Sequence, residues 1–331
     1  MRYLAIALAL FLSSGTAFAQ DKTADFTIAF GSCNKASLDN PFWDNILTKK
    51  PDVWIWGGDN VYADTDDPNE MKIKYNQQLK VPAYKAMIEK IPVIGTWDDH
   101  DYGKNDAGAE YGMKENSQQL FLDFMGVSET DQRRNREGVY ASHEYKTSQG
   151  KIKVIVLDTR YFRGPIERVN RTYIPNETGT ILGEEQWKWL ETELETSDAR
   201  FNVIVSSIQI LPAEHRFEKW ANFPNERQRL FDSIRDSGAE GVLLLSGDRH
   251  ISEFSKLEME GLEYPLWDFT SSGLTHSYSS FKEEPNQLRV GDVVSSLSYG
   301  LLHFDFDAGQ VIMQMRGESD VLIQEFTQIY N

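Results

Sequence analysis

The sequence predicts an α/β fold on three grounds. Short apolar runs rich in β-branched and aromatic residues recur along the chain, and most are continuous, as in strands buried on both faces. Stretches with apolar residues at helical spacing separate these runs, which is the alternation of an α/β sheet. The 331 residues, 40% of them hydrophobic, are enough to bury a large core. There is no internal repeat and no Pro/Gly/Ser-rich linker, so we predict a single domain.

The predicted strands come in two sets. Early in the chain they cover residues 26–31 (FTIAFG), 52–58 (DVWIWGG) and 91–97 (IPVIGTW). Further runs cover residues 138–145, 151–158, 201–208 and 241–248, and a β-rich region extends from 251 to 330.

The segments between the strands predict helices. They cover residues 41–50, 68–90, 182–197 and 223–241, and Pro82 is expected to break or kink the second of them. Trp187, Leu190 and Leu194 lie on one face of the third helix, so we predict that they pack in the core. Long loops are predicted at residues 99–113, 160–182 and 271–298.

The first nineteen residues have the pattern of a secretory signal peptide. Arg2 is followed by an apolar stretch and by a small-x-small ending at Ala17 and Ala19. The stretch is shorter than the roughly 20 residues that a transmembrane helix needs, and no later segment is long enough either. We therefore predict export to the periplasm or beyond after cleavage near residue 19, with a mature domain of residues 20–331 and no transmembrane segment. An uncleaved membrane anchor is the alternative.

The charge balance excludes some partners. With 34 basic and 51 acidic side chains the net charge is −17, which repels the phosphate backbone of nucleic acids and anionic membranes. We predict a monomer without specific nucleic-acid binding. An acidic protein can still act on phosphate esters, because bound cations reverse the charge within one pocket.

Polar side chains follow several predicted strands. In an α/β sheet the carboxyl ends of the strands open into one crevice, so these side chains should converge. A Gly-Asp pair after one strand is first a turn signal, but several facing carboxylates repel one another and usually indicate bound cations. The residues concerned are Cys33, Asn34, Asp59, Asn60, Tyr62, Asp98, Asp99, His100, Asp101, Asp158, Asp248 and His250.

Cys33 is the single cysteine, so no intramolecular disulfide can form. Its residue type alone is consistent with burial, intermolecular pairing or metal ligation. Carboxylate and phenolate oxygens suit ferric iron, carboxylate and amide oxygens suit calcium, and a thiolate prefers a softer transition metal. The mixture of ligand types therefore predicts two unlike metals.

Five motifs in order resemble the PhoD-type alkaline phosphatases and phosphodiesterases, within the calcineurin-like metallophosphoesterase superfamily. The motifs are FGSCNK, GGDNVYAD, TWDDHDYGKND, VIVLDTRYFR and LSGDRH, and the resemblance covers about residues 26–275. It implies a four-layer αββα sandwich with mixed β-sheets. It also implies a short, core-only member, without the separate N-terminal domain of the longer members.

The resemblance further implies metal ligands. Asp59 would bridge two metals, while Cys33 and Tyr62 would bind Fe³⁺. A second-metal histidine of the superfamily is replaced by the sequence VSSIQ at 205–209, and Asp248 stands in place of another, so Ca²⁺ is favoured at the second site, with Zn²⁺ or Mn²⁺ as alternatives. The full set of implied ligands is Cys33, Asp59, Tyr62, Asp99, Asp248 and His250.

The implied activity is hydrolysis of small phosphate monoesters, diesters or both by a metal-activated hydroxide. His100 would contact the substrate or its leaving group, and Arg160 with Arg163 would clamp phosphate oxygens. The alternatives are that His100 caps a loop, that Tyr62 anchors a core, and that Arg160 pairs with Asp158.

Two rival functions remain open on the sequence. One is a non-catalytic, exported calcium-binding module, in which the carboxylates stabilise the fold. The other is an enzyme on the same fold that hydrolyses non-phosphate esters. Four aromatic residues near the motifs can either stack on a substrate or pack in the core, and these are Trp97, Tyr102, Tyr161 and Phe162.

Overall fold

Two mixed β-sheets pack face to face, and helices cover the outer face of each. The computed structural model describes residues 24–330, and the predicted signal peptide with its cleavage site lies outside these residues. The described chain forms four layers in the order helix, sheet, sheet, helix. The prediction of a four-layer αββα sandwich with mixed sheets is confirmed.

Strands and helices alternate in the first part of the described chain, and the last part is mostly strand. Numbered along the chain, the strands are β1 (Phe26–Gly31), β2 (Val53–Gly57), β3 (Val93–Thr96), β4 (Ala141–Lys146), β5 (Lys151–Val156), β6 (Glu167–Val169), β7 (Thr172–Ile174), β8 (Phe201–Val205), β9 (Val242–Ser246), β10 (Ser252–Leu257), β11 (Leu266–Thr270), β12 (Arg289–Val294), β13 (Ser298–Asp305), β14 (Gln310–Gly317) and β15 (Leu322–Ile329). The helices are α1 (Trp43–Lys49), α2 (Pro68–Leu79), α3 (Pro82–Ile88), α4 (Asp99–Tyr102), α5 (Lys114–Phe124), α6 (Gly183–Glu195) and α7 (Pro224–Asp236).

Side-chain alternation along the strands creates three separate apolar layers. In β2, Val53 and Ile55 face the second sheet, while Trp54 and Trp56 face the outer helices. The outer layer of the first sheet is completed by apolar side chains of α1, α2, α3 and α5. The same alternation in the second sheet turns Ile204 toward α6 and α7. The central strands of both sheets are thus buried on both faces, which explains the continuous apolar runs in the sequence.

The strand order brings the carboxyl ends of the parallel strands to one edge of each sheet. The first sheet has the order β15-β14-β13-β1-β2-β3, and the second has the order β12-β10-β11-β9-β8-β5-β4. Strands β1, β2 and β3 are parallel to one another, as are β5, β8, β9 and β11. An isolated bridge pairs Ser32, after β1, with Ser272, after β11. This bridge joins the two edges, so polar residues that follow both sets of strands can meet.

Most predicted helices and strands are present, and the differences lie in the predicted loops and in helix α5. The break at Pro82 is confirmed, since α2 ends at Leu79 and α3 begins at Pro82. The three predicted loops contain, respectively, α4, the β6–β7 hairpin and β12. Helix α5 is not identified in the sequence, because polar residues lie on its packed face. Gln118 is buried there and donates two hydrogen bonds to backbone carbonyls.

None of the helices formed by residues 24–330 combines the length and the apolar character needed to cross a bilayer.

Gly95 in β3 lies where an additional methyl group has no room. Its φ is +149°, and a Cβ atom there would lie 2.4 Å from the carbonyl oxygen of Trp56 in β2. The Gly95→Ala substitution is expected to lower the free energy of unfolding by about 1–3 kcal/mol, because the β2 backbone must shift. Urea unfolding measures this effect. Gly112→Ala is the control, since nothing lies within 4 Å of its Cβ position, and equal midpoints for the two variants would contradict the expectation.

Candidate metal centre

Four of the predicted metal ligands lie in turns that directly follow strands, with the backbone in the left-handed region. The φ angles of Cys33, Asp59, Asp248 and His250 are 61°, 51°, 66° and 54°. This conformation costs a non-glycine residue about 1–2 kcal/mol. Such residues persist only where the surrounding structure holds them, and they cluster at functional sites. The turns therefore hold these side chains in place at a cost in stability.

A thiol, a phenol, a carboxylate and an imidazole form the first group of side chains. Cys33 Sγ lies 3.4 Å from Asp59 Oδ2, and the Tyr62 hydroxyl donates to the same oxygen at 3.0 Å. That hydroxyl also lies 2.7 Å from His250 Nε2. Ligand atoms of Cys33, Asp59 and His250 all lie within 4.8 Å of one another, so they can bind one ion.

The second group consists of carboxylates. One oxygen from each of Asp59, Asp98, Asp99 and Asp248 lies within 4.8 Å of the others. Asp98 Oδ2 and Asp99 Oδ1 are buried and accept no hydrogen bond from any described residue. A buried carboxylate oxygen without a partner is costly, and a cation supplies the missing interaction. Asp59 belongs to both groups.

The electrostatics of both groups fit bound cations. Burial raises the pKa values of Asp59 and Asp248 well above their ordinary range, and the negative charges of the neighbouring carboxylates raise them further. Burial, followed by the charge of Asp59, likewise raises the pKa values of the Cys33 thiol and the Tyr62 hydroxyl. Negative charge of this density needs a positive counterpart. The residues present therefore fit a metal centre, and their mixture of sulfur, nitrogen and oxygen fits more than one kind of metal.

His100 lies beside the carboxylates and lines a cavity. Its Nδ1 is 2.6 Å from Asp64 Oδ1, and its ring centroid is 4.1 Å from that of Tyr62. Burial alone would lower the pKa of His100, but the hydrogen bond to Asp64 and the charge of Asp99 raise it above its ordinary value. The imidazole is thus held on one side by Asp64, with its other nitrogen available for a ligand.

Arg160 is fully buried, and two carboxylates hold its guanidinium group. Its Nε donates to Asp98 Oδ1 and its Nη1 donates to Glu218 Oε2, both at 2.6 Å. Arg163 Nε lies 3.1 Å from the other oxygen of Glu218. The alternative, an ion pair between the side chains of Arg160 and Asp158, is not formed. Asp158 Oδ1 instead accepts a hydrogen bond from the backbone N–H of Arg160. Arg160 does not line the cavity and its guanidinium is held by Asp98 and Glu218, which favours a positioning role over direct phosphate binding.

This buried ion cluster leads to a stability prediction. Arg160→Met removes a buried positive charge and leaves the buried carboxylate of Asp98 without a cationic partner, so the free energy of unfolding should fall by about 3–5 kcal/mol. Arg235→Met is the control, because Arg235 pairs with Asp232 and Asp236 at the surface, where a pair contributes about 0–1 kcal/mol. Guanidinium unfolding compares the two, and similar losses of stability would contradict the expectation.

The cavity beside the candidate ligands has a volume of about 450 Å³. Four predicted site residues line it, Asp99, His100, Asp248 and His250. A pocket of this size accommodates a small organic ester.

The aromatic residues identified near the motifs do not line this cavity. Trp97, Tyr102 and Tyr161 are buried in the layer between the first sheet and its helices, and Phe162 packs against that layer. Among the described residues, Phe217 and Tyr278 supply the aromatic part of the cavity wall instead.

The remaining polar residues at the strand ends stabilise the local backbone and one another. Asn34 Nδ2 donates to Gln78 Oε1 at 2.7 Å, and Asn60 Nδ2 donates to Asp101 Oδ2 at 2.6 Å. Asp158 accepts from the backbone N–H of residues 139, 160 and 161. These side chains support the turns that carry the candidate ligands.

Three residues beside the centre are absent from the sequence-based prediction. His276 Nε2 lies 2.9 Å from the Tyr62 hydroxyl, and Lys35 Nζ lies 4.2 Å from the centre of the Tyr62 ring. Ser272 Oγ lies 3.0 Å from Cys33 Sγ and accepts from the backbone N–H of His250. Lys35 belongs to the FGSCNK motif and could have been identified there. His276 and Ser272 lie in a predicted loop, where no periodicity marks them.

Comparisons with known proteins identify the family of the chain. The family model of the PhoD-like phosphatases matches residues 28–318. Alkaline phosphatase D of Bacillus subtilis (strain 168) is 26% identical over 223 residues, an alignment that covers 57% of this chain and 38% of that protein. The chain therefore spans well under half the length of this relative.

Solved structures show the same fold. A structure of PhoD matches with a TM-score of 0.74 and 19% identity, over 91% of this chain and 69% of that chain. Purple acid phosphatase PPD1 from yellow lupin seeds matches with a TM-score of 0.59 and 12% identity, over 91% of this chain and 53% of that one. The fold is thus that of the metallophosphoesterases, and because the family model covers nearly all of the described residues, the chain belongs to the PhoD-like phosphatase family.

Proposed function

We propose that the protein is an exported, metal-dependent phosphoesterase that hydrolyses small phosphate monoesters, diesters or both. The observation that carries the proposal is the convergence of Cys33, Tyr62 and four carboxylates on one centre, beside a cavity that His100 lines together with two of those carboxylates. The family supports this activity, and the pattern of residues 1–19 supports export.

The donor types assign a metal to each group of side chains. Cys33, Asp59 and Tyr62 would hold Fe³⁺, with His250 in reach of the same ion. The carboxylates of Asp59, Asp99 and Asp248 would hold Ca²⁺, because this group offers only hard oxygen donors, although Zn²⁺ or Mn²⁺ are alternatives. When bound, the cations supply the positive charge that makes water nucleophilic at neutral pH and neutralises phosphoryl oxygens.

Residues of the chain itself orient the ester and move the proton. Asp64 fixes the His100 ring through Nδ1, which leaves Nε2 to donate a hydrogen bond or a proton to the leaving oxygen. Arg160 holds Asp98, the neighbour of Asp99, and so keeps the carboxylate turn in position. Phe217 and Tyr278 offer apolar surface for an organic substituent of the ester.

A purely structural calcium site explains fewer of these features. Calcium takes oxygen ligands, so it gives no reason for the buried thiol of Cys33 beside the Tyr62 hydroxyl. It also gives no reason for a cavity next to the carboxylates.

Hydrolysis assays on three chromogenic esters test the proposed function. We expect the metal-loaded protein to hydrolyse bis-4-nitrophenyl phosphate or 4-nitrophenyl phosphate, and to leave 4-nitrophenyl acetate unchanged. Chelation should abolish the phosphatase signal, and the preferred ester would show whether diesters or monoesters are the better substrates. Hydrolysis of the acetate alone would favour the enzyme for non-phosphate esters. Bound calcium without hydrolysis of any ester would favour the non-catalytic module.

A further inference from the structure

Three arginine side chains line the cavity, in a protein whose net charge is −17. Arg168 lies on β6, Arg216 lies in the segment between β8 and α7, and Arg249 directly follows Asp248. Across the described residues, the ion pairs and ring contacts of Arg168 and Arg216 involve no candidate metal ligand. These arginines bring positive charge to the lining of the cavity, beside the candidate ligands Asp99 and Asp248.

The three guanidinium groups differ in how far they are neutralised. Arg168 pairs with Asp106 at 3.4 Å, and Arg249 pairs with Glu284. Of the other acidic residues that line the cavity, Glu218 already pairs with Arg160 and Arg163, while Asp99 and Asp248 belong to the candidate metal centre. Arg216 is exposed and forms an ion pair with no residue in the range 24–330. Its charge is free to act on a ligand.

Phe217 holds two of the guanidinium groups in the wall. The guanidinium carbon of Arg249 lies 4.2 Å from the centre of the Phe217 ring, and that of Arg216 lies 5.1 Å from it. Stacking on an aromatic ring restrains a guanidinium group while leaving its N–H groups free to donate.

Arg249 supplies a second, independent sign of a ligand. The residue is only 4% exposed, and its Nε is a buried donor that has no hydrogen-bond acceptor in the described chain. A buried donor without an acceptor is unusual in a folded protein and often marks a position where a ligand or water binds. An anionic oxygen in the cavity would satisfy it.

We propose that Arg216 and Arg249, held by Phe217, bind a second anionic group of the substrate. The natural substrate is then a phosphate ester that carries a further phosphate or carboxylate on one of its organic substituents. This inference rests on the proposed function, because it assumes that the metal centre binds the ester phosphate. Planar guanidinium groups suit such an oxyanion, since they donate two parallel hydrogen bonds.

A matched pair of chromogenic diesters tests this subsite. Thymidine 5′-(4-nitrophenyl phosphate) and its 3′-phosphorylated derivative release the same nitrophenol and differ only in the second anion. The wild-type protein should prefer the phosphorylated diester. Arg216→Gln should reduce kcat/KM for that diester by about ten- to a hundredfold, the size expected for a lost charge-assisted hydrogen bond, and leave the plain diester unchanged. Arg216→Lys should retain part of the preference.

Lys188→Gln is the control for net charge, because Lys188 is exposed on α6 and does not line the cavity. It should behave as the wild type. An equal effect of Arg216→Gln on both diesters, or no effect on either, would overturn the subsite.

Calorimetric binding of the same two diesters separates this inference from the proposed function. If the protein hydrolyses neither diester, the proposed activity fails. The subsite still predicts that the wild type binds the phosphorylated diester more tightly than the plain one, and that Arg216→Gln binds the two equally. Equal binding of the two diesters by the wild type would overturn the subsite.

Discussion

Replacing Asp59 with asparagine is expected to lower kcat/KM for bis-4-nitrophenyl phosphate by at least about a thousandfold, or about 4 kcal/mol. Within residues 24–330, Asp59 belongs to every group of side chains that could hold a metal, so its loss is expected to weaken both sites together. Asparagine tolerates the left-handed backbone at this position, where φ is 51°, so the turn should keep its shape.

Two further measurements separate loss of the metals from loss of the fold. The metal content of Asp59→Asn should fall, while the melting temperature of its metal-free form should not be lower than that of the metal-free wild type. The reason is that the substitution removes a buried negative charge that faces other carboxylates. Asp39→Asn is the control, because Asp39 is an exposed residue of the same charge. Wild-type metal content together with wild-type kcat/KM in Asp59→Asn would show that Asp59 is not a shared ligand.

His100→Ala is expected to reduce kcat by about a hundred- to ten-thousandfold for an ester with a poor leaving group, such as an alkyl phosphate. The same variant should change kcat much less for a nitrophenyl ester, because nitrophenolate leaves without a proton. His100 lies beside Asp99 in the cavity wall and is oriented by Asp64, as a proton donor to the leaving oxygen requires.

The dependence of kcat on the leaving group measures this role. In the wild type kcat should vary little with the pKa of the leaving alcohol, and in His100→Ala it should fall steeply as that pKa rises. Asp64→Asn is a second variant for comparison, because it weakens the hydrogen bond that orients the His100 ring but keeps the imidazole. It should reduce kcat less than His100→Ala does. If the plots of log kcat against the pKa of the leaving alcohol are parallel for the wild type and His100→Ala, then His100 is not the proton donor.

The fold and the position of the candidate site are predictable from the sequence for a local reason. Strands buried on both faces appear as continuous apolar runs, and the polar residues that end them stand out against those runs, as at Asp59 and Asp248. Parallel strands place such residues at one edge of a sheet. The pattern along the chain therefore identifies where ligands can converge, although it does not give the distances.

The surroundings of the site are less predictable because they depend on contacts between distant segments. Arg160 belongs to one of the family-like motifs. Its burial, however, depends on Glu218, which lies in the segment between β8 and α7, 58 residues further along the chain. His276 and Arg216 lie in irregular segments, where neither helical nor strand periodicity marks a side chain as part of a site. Loops carry such residues because a rigid sheet positions them, and that positioning is visible only in three dimensions.

The most direct test of the central proposal is to titrate the metal-free protein with iron and then with calcium. Bound metal and the hydrolysis of bis-4-nitrophenyl phosphate are measured in the same samples. We expect no hydrolysis before metal is added, a rise in rate as metal binds, and a plateau when the Cys33–Tyr62 group and the carboxylate group are both filled. A visible absorption band from tyrosinate to ferric iron should accompany the iron step and be absent in Tyr62→Phe. Hydrolysis that persists in the metal-free protein, or full metal binding without hydrolysis, would contradict the proposal.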